Sequence, residues 1–271
     1  MRVRLSLAGV VLVLTTPVLG EAQQPSPASA PPPGVEARAD QELRRMGEFL
    51  AKLPRFALEA EETFDELEAG EPRRQLTNVR RAAVVRPDHL AADATGDTLN
   101  RASWYDGAKL TMLDKEHNTY ATVDAPSTID ATLDQLQDKW GVVLALADLV
   151  RSDPYAELIA GVTYGRYLGL HMAAGVPCHH LVFAQETIEW QIWIDAGPQP
   201  LPRKLVITYV QEEGEPQYAA TIRRWKLDPT FPEKLFTFEA PAGAQKIDPA
   251  AMAASQLEDS PLPGQGEGRQ P

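Results

Sequence analysis

Cys178, His179 and His180 are consecutive, and they hold the only cysteine and two of the five histidines in this 271-residue chain. A thiol beside an imidazole is the pairing of a nucleophile and its base. The same groups with His171 are the beginning of a zinc site. On a strand, Cys178 and His180 share a face and His179 takes the other. No Gly-rich turn or helix N-terminus follows to build an oxyanion hole, and no second ligand pair stands at zinc-site spacing. A packed structural cysteine with hydrogen-bonded histidines is therefore the preferred reading. Metal binding or catalysis through Cys178 and His180 is the lesser alternative.

Carboxylates give the next constellations. Asp130, Asp134 and Asp138 recur every four residues and form a stripe on a helix, where a solvated polar face is expected rather than a calcium site. Glu59, Glu61 and Glu62 invite comparison with a glycosidase dyad, but neighbouring carboxylates on a strand usually form its wet face. No Walker loop, Rossmann glycine pattern, H-E-x-x-H, G-x-S-x-G or paired C-x-x-C occurs. The chain is expected not to be an enzyme and to carry no cofactor and no metal.

Large amphipathic side chains remain. Trp104, Tyr105, Trp190 and Trp193, with Leu133, Leu136 and Trp140 of a helix, are the residues expected to contact an apolar ligand or a partner. Trp190 shares a face with Ile188, Ile192 and Ile194 and belongs to core or cavity wall. Trp193 lies on the polar face and is the stronger binding candidate.

These residues need a frame. Leu43, Met46, Phe49, Leu50 and Leu53 fall at helical spacing up to Pro54, predicting a helix over 40–53. From Phe56 the period becomes two: Phe56, Leu58, Ala60 and Phe64 face one way, Glu59, Glu61 and Asp65 the other. Arg74–Val85, His89–Ala94, Leu99–Tyr105, Lys109–Leu113 and Asn118–Val123 continue a meander, with Asp106-Gly107 as a hairpin turn. A second helix is expected over 127–140, capped by Ser127, then shorter turns at Leu144–Val150 and Pro154–Ala160. The β pattern returns in Val162–Met172, Cys178–Gln185, Ile188–Asp195, Leu205–Glu212, Gln217–Trp225 and Leu235–Phe238. About eleven short strands in hairpin order predict a mainly β (α+β) chain with one large antiparallel sheet. The amphipathic helices must cover its apolar face.

A net charge of −12 argues against nucleic acid as a partner, because phosphate contacts need a basic patch. Arg2 and Arg4 precede the apolar run Leu5–Leu14, which is too short to span a bilayer. With Gly20-Glu21-Ala22 this predicts a signal peptide over 1–22, cleaved before Gln23 or alternatively after Gly20. The mature chain is expected to have no transmembrane helix and to be periplasmic or secreted. No cysteine stands at the cleavage site, so no lipid anchor is expected. Residues 23–38 read as a Pro-rich linker, 39–248 as one domain and 249–271 as a disordered tail.

Five segments are distinctive in their order: Trp104-Tyr105-Asp106-Gly107, Pro126-Ser127-Thr128-Ile129-Asp130, Pro177-Cys178-His179-His180-Leu181, Trp190-Gln191-Ile192-Trp193 and Pro200-Leu201-Pro202-Arg203-Lys204. Over residues 40–247 the chain resembles a bacterial family of predicted periplasmic proteins, a domain of unknown function. That family is similar to the LolA/LolB-like lipoprotein-carrier superfamily, which also holds mycobacterial lipid-binding lipoproteins and an envelope-stress sensor domain. The resemblance implies a curved, incomplete β-barrel with helices covering its concave face. It supplies no catalytic residues. It implies a periplasmic binding or carrier protein holding a lipid or acylated protein in the half-barrel. The alternative is an envelope protein-interaction or sensor module without a lipid ligand.

Overall fold

The computed structural model describes residues 31–68 and 70–258. The expected signal peptide and the first part of the linker lie outside the described residues, as does the tail beyond 258.

The chain enters at a turn whose Val35 forms a parallel bridge with Gly165. Helix α1 (Ala37–Ala51) follows and buries Leu43, Met46 and Leu50. Strands β1 (Arg55–Glu66), β2 (Arg74–Val85), β3 (His89–Gly96), β4 (Asn100–Tyr105), β5 (Lys109–Asp114) and β6 (Thr119–Asp124) form the first meander. Helices α2 (Ile129–Trp140), α3 (Ala147–Val150) and α4 (Pro154–Ile159) are inserted. Then come β7 (Tyr164–Ala173), β8 (Val176–Ala184), β9 (Ile188–Asp195), β10 (Pro202–Tyr209) and β11 (Gln217–Leu227). A two-residue strand β12 (Gln245–Lys246) and helix α5 (Pro249–Glu258) end the described chain.

All twelve strands among the described residues belong to one sheet in the order β12-β6-β5-β4-β3-β2-β1-β11-β10-β9-β8-β7. Every neighbouring pair is antiparallel except β12 beside β6. Two meanders are thus joined at their first and last strands, with Phe56 opposite Leu227 and Phe64 opposite Tyr218. The sheet does not close, because β12 and β7 are its two edges. Bulges at Glu59/Ala60 and Tyr167/Gly169 interrupt the ladder and bend the strands. This is the expected incomplete barrel.

Period two divides the sheet into an inner, helix-covered face and an outer face. On β1 the buried residues are Phe56, Leu58, Ala60, Glu62 and Phe64. Their ladder partners carry the inner face across to Val84, Leu90 and Tyr105 on one side and Ile222 and Ala220 on the other. Helix α1 lies over β7, β8 and β9 and against α4. At Gly165 the Phe183 ring and the Val35 side chain press on the strand so closely that a Cβ would lie 2.7 Å from the ring and 3.0 Å from Val35. Only glycine fits there.

Four expectations change. Helix α2 is capped by Thr128, whose hydroxyl accepts from the Ala131 N–H, and not by Ser127. Leu235–Phe238 is not a strand. A 3-10 turn over Glu233–Phe236 follows Pro232, and Phe236 and Phe238 dock their rings on His89, Trp104 and Tyr120 of the outer face. The linker does not reach 38, since Val35 is buried and α1 begins at Ala37. The tail does not begin at 249: α5 buries Met252 and Ala253 in the core, and its Ser255 receives Arg101.

Candidate functional site

Between the inner face and the inserted helices lie three neighbouring cavities of about 80, 230 and 30 Å³. Leu144 and Ala145 line all three. The largest has walls of Leu149, Leu158, Ile192, Leu205, Ile207 and Tyr218. Leu110, Met112, Leu136 and Val142 wall the second. The segment common to their walls is well defined by its ends. Gly141 terminates α2 with φ +69°, in the left-handed conformation glycine tolerates. Leu146 has φ +61° although it is not glycine, a costly conformation for a branched side chain. It is buried, while Val143, three residues before it, is exposed.

A buried carboxylate stands behind these walls. Glu62 is 1% exposed. Its carboxylate accepts from Arg80 Nε at 2.6 Å and from the Tyr218 hydroxyl at 2.9 Å. Burial works to lower the Arg80 pKa, but the Glu62 charge and hydrogen bond outweigh it and the value rises. Burial, and then the Glu62 charge, push the Tyr218 hydroxyl well above its ordinary value. Arg80 lines the 80 and 30 Å³ cavities and Tyr218 the 230 Å³ one, so the triad touches all three. In the sequence Glu62 reads as one of a run of acidic residues on a wet face. Its even position, in step with Phe56, Leu58 and Ala60, is the signal that it points inward.

The residues expected to contact a ligand divide between the faces. Tyr105, Leu133, Leu136 and Trp190 are buried in the inner core, and Trp140 packs against it. Tyr105 donates its hydroxyl to the Pro126 carbonyl at 2.5 Å, and Trp190 stacks on Phe183 at 4.3 Å. Trp104 lies on the outer face, beside Ala91 and Thr111. Trp193 also lies outside, stacked on His180 at 3.9 Å with the Lys204 ammonium 5.0 Å from its ring centre.

Cys178 and His180 share the outer face as expected, and His179 points inward, 3.7 Å from Glu42 of α1. Cys178 is fully buried and its thiol donates to the Val176 carbonyl at 3.5 Å. Burial, with the nearby Asp195, raises its pKa, the opposite of nucleophile activation. His180 Nδ1 lies 2.8 Å from His171 Nδ1, and its Nε2 lies 2.9 Å from the Gln191 side-chain oxygen. Among the described residues no group of three metal-ligating side chains converges. Asp130 accepts from the Ser152 N–H at 3.0 Å, and Asp134 from Arg151 at 2.7 Å. Glu59 and Glu61 pair with Arg81 and Arg223 on the outer face, turned away from Glu62.

Sheet, inner helices and apolar cavities define an open half-barrel. The chain belongs to the family described as predicted periplasmic protein (DUF2092), whose model matches residues 39–249. Its periplasmic description agrees with the location expected from the sequence, and no described helix is long and apolar enough to cross a membrane. No curated protein sequence matches the chain. Among similar solved structures is an uncharacterised conserved protein of Thermus thermophilus, with 11% identity and a TM-score of 0.43, covering 78% of this chain and 98% of that one. A LolA superfamily protein of Nitrosomonas europaea has 10% identity and a TM-score of 0.34, covering 74% and 97%. A chain from the MucA/MucB complex of Pseudomonas aeruginosa has 15% identity and a TM-score of 0.40, covering 75% of this chain but only 62% of that one. All three are distant likenesses of fold.

Proposed function

We propose that the protein is a periplasmic carrier that holds an apolar ligand, a lipid or an acyl chain, between the inner face of its sheet and the segment Val142–Leu146. The observation that carries this reading is the shared wall: one short segment, bounded by two left-handed residues, lines three apolar cavities. Its displacement would merge them into one space. Burial of an acyl chain there gains roughly 25 cal/mol per Å² of apolar surface, and movement of a loop is the ordinary means of admitting such a ligand.

Native mass spectrometry of protein purified from its own periplasm tests the reading, with a fluorescent fatty acid as added probe. Retained lipid mass or saturable probe binding is expected, and Ala145→Trp, which fills the shared wall, should remove it. A ligand-free mass together with no probe binding refutes the carrier.

A second reading has its own observation. Strand β7 is a sheet edge, and it exposes Leu168, Leu170 and Met172 by 45, 58 and 66%. An open apolar edge can accept a strand from an envelope partner. In that case Leu170→Lys with Met172→Lys would abolish capture of the partner and leave lipid binding intact.

A further inference from the structure

We propose that the outer face of the sheet carries a second, separate ligand site, for a long-chain molecule with a single acidic head. A cavity of about 520 Å³ lies there, larger than the three inner cavities and within the ordinary range for ligand pockets. Its origin is legible in the register. Lys226, Ala57, Ala83, Ala91 and Trp104 are successive ladder partners on β11, β1, β2, β3 and β4. Three neighbouring strands therefore each place an alanine in one row, and no side chain rises above its Cβ. After β11 the chain crosses above this row, where Phe231 and Leu235 form the opposite wall. Phe238 holds that crossing segment against Trp104 and Tyr120, at 5.2 and 4.9 Å between ring centres. Small residues below and a strap above leave a groove between them.

The groove is polarised along its length. At the β4 end Trp104 makes it apolar. At the β11 end stand Arg224 and Lys226, both exposed. The next row runs Arg224, Glu59, Arg81, Asp93, Ala102 across the same strands. Its two carboxylates are already engaged: Glu59 accepts from Arg81 at 2.8 Å and Asp93 from Lys115. The cationic surplus of the lining thus falls at the β11 end, facing an apolar trough. Four strand spacings of about 4.8 Å make the row roughly 19 Å long, which suits an extended long acyl chain. A carboxylate at Arg224 and Lys226 with its tail toward Trp104 satisfies both ends. This site shares no lining side chain of the inner segment Val142–Leu146, so it stands or falls independently of the carrier reading.

Trp104 is a built-in reporter. Dibrominated stearate, titrated below its aggregation concentration, should quench tryptophan fluorescence saturably, and Trp104→Phe should remove most of that quench. Arg224→Glu with Lys226→Glu, on the exposed surface, should weaken binding by about tenfold or more through loss of charge-assisted contacts. Ala91→Leu should block the groove, and dibrominated stearyl alcohol should bind more weakly than the acid. Circular dichroism identifies any variant that fails to fold, and the charge-reversed pair decides the matter if Ala91→Leu does. The proposal is overturned by absence of saturable quench, by quench that survives Trp104→Phe unchanged, or by indifference to charge reversal. Quench obtained only with vesicles of brominated phosphatidylglycerol also overturns it, in favour of a membrane surface as the ligand. Inner-face binding would appear instead as quench that persists in Trp104→Phe, so the two sites are told apart.

Discussion

Arg80→Met isolates the buried Glu62–Arg80 ion pair behind the cavity walls. Glu62 is 1% exposed at its side chain and Arg80 14%, with the nitrogen and oxygen 2.6 Å apart. The second Glu62 oxygen is buried with no hydrogen-bond partner, so the carboxylate depends on Arg80 Nε and the Tyr218 hydroxyl alone. Removing one partner of a buried pair typically costs about 3–5 kcal/mol, whereas removing both for apolar or neutral groups is often nearly neutral. At about 2–4 °C per kcal/mol for a domain of this size, Arg80→Met should lower Tm by about 6–20 °C. Glu62→Gln with Arg80→Met should recover most of that loss. Urea denaturation of the wild type, both single variants and the double variant, followed by tryptophan fluorescence, closes the cycle. A single-variant cost below about 1 kcal/mol, the level of a surface pair, would refute the buried pair. So would a double variant less stable than Arg80→Met.

Four further outcomes are expected. Phe183→Ala removes a fully buried ring stacked on Trp190 and should cost about 3–5 kcal/mol in urea unfolding; a cost under about 1 kcal/mol would show a loosely packed inner face. Thr128→Ala should cost about 1 kcal/mol through the lost helix cap, with Ser127→Ala near neutral, and the reverse order would reinstate Ser127. Gly165→Ala should be markedly destabilising because its Cβ meets Phe183; a neutral result would mean the Phe183 ring is not packed against Gly165. His180, facing His171, Gln191, Trp193 and Lys204, has its pKa lowered chiefly by burial, as does His179 beside Glu42. The unfolded chain, with values near 6.5, binds these protons first. The stability they contribute is therefore complete above about pH 6.5 and lost as pH falls through the lower folded values. The urea midpoint should drop across that window less in His179→Gln/His180→Gln than in the wild type, and equal drops would exclude the histidines as the cause.

Alternation made most of the sheet legible: Trp190, Ile192 and Ile194 point inward as their spacing requires, and Trp193 outward. Hairpin order also conveyed the meanders. What spacing could not convey is which strands meet across long separations. The pairing of β1 with β11 joins residues at opposite ends of the domain, and only that register brings Tyr218 to Glu62. Trp104 illustrates the same limit. Its aromatic character suggested a binding wall, but the face was settled by the alanine row beside it. Leu235–Phe238 reads as a strand because its apolar residues are close together, whereas Pro232 and three aromatic contacts hold it as a strap. In Cys178 the chemistry suggested by residue type is removed by burial, a property of the neighbours and not of the motif.

The β1–β11 pairing has a consequence for how the chain matures. Synthesis supplies the β1–β6 meander first, with one long edge of β1 unsatisfied until β11 emerges. Phe56 must wait for Leu227. Throughout that interval a long strand of alternating apolar sequence forms an unguarded template for intermolecular pairing. A chaperone that shields this edge, or rapid delivery of the C-terminal half, is what the topology demands of the compartment in which the protein folds.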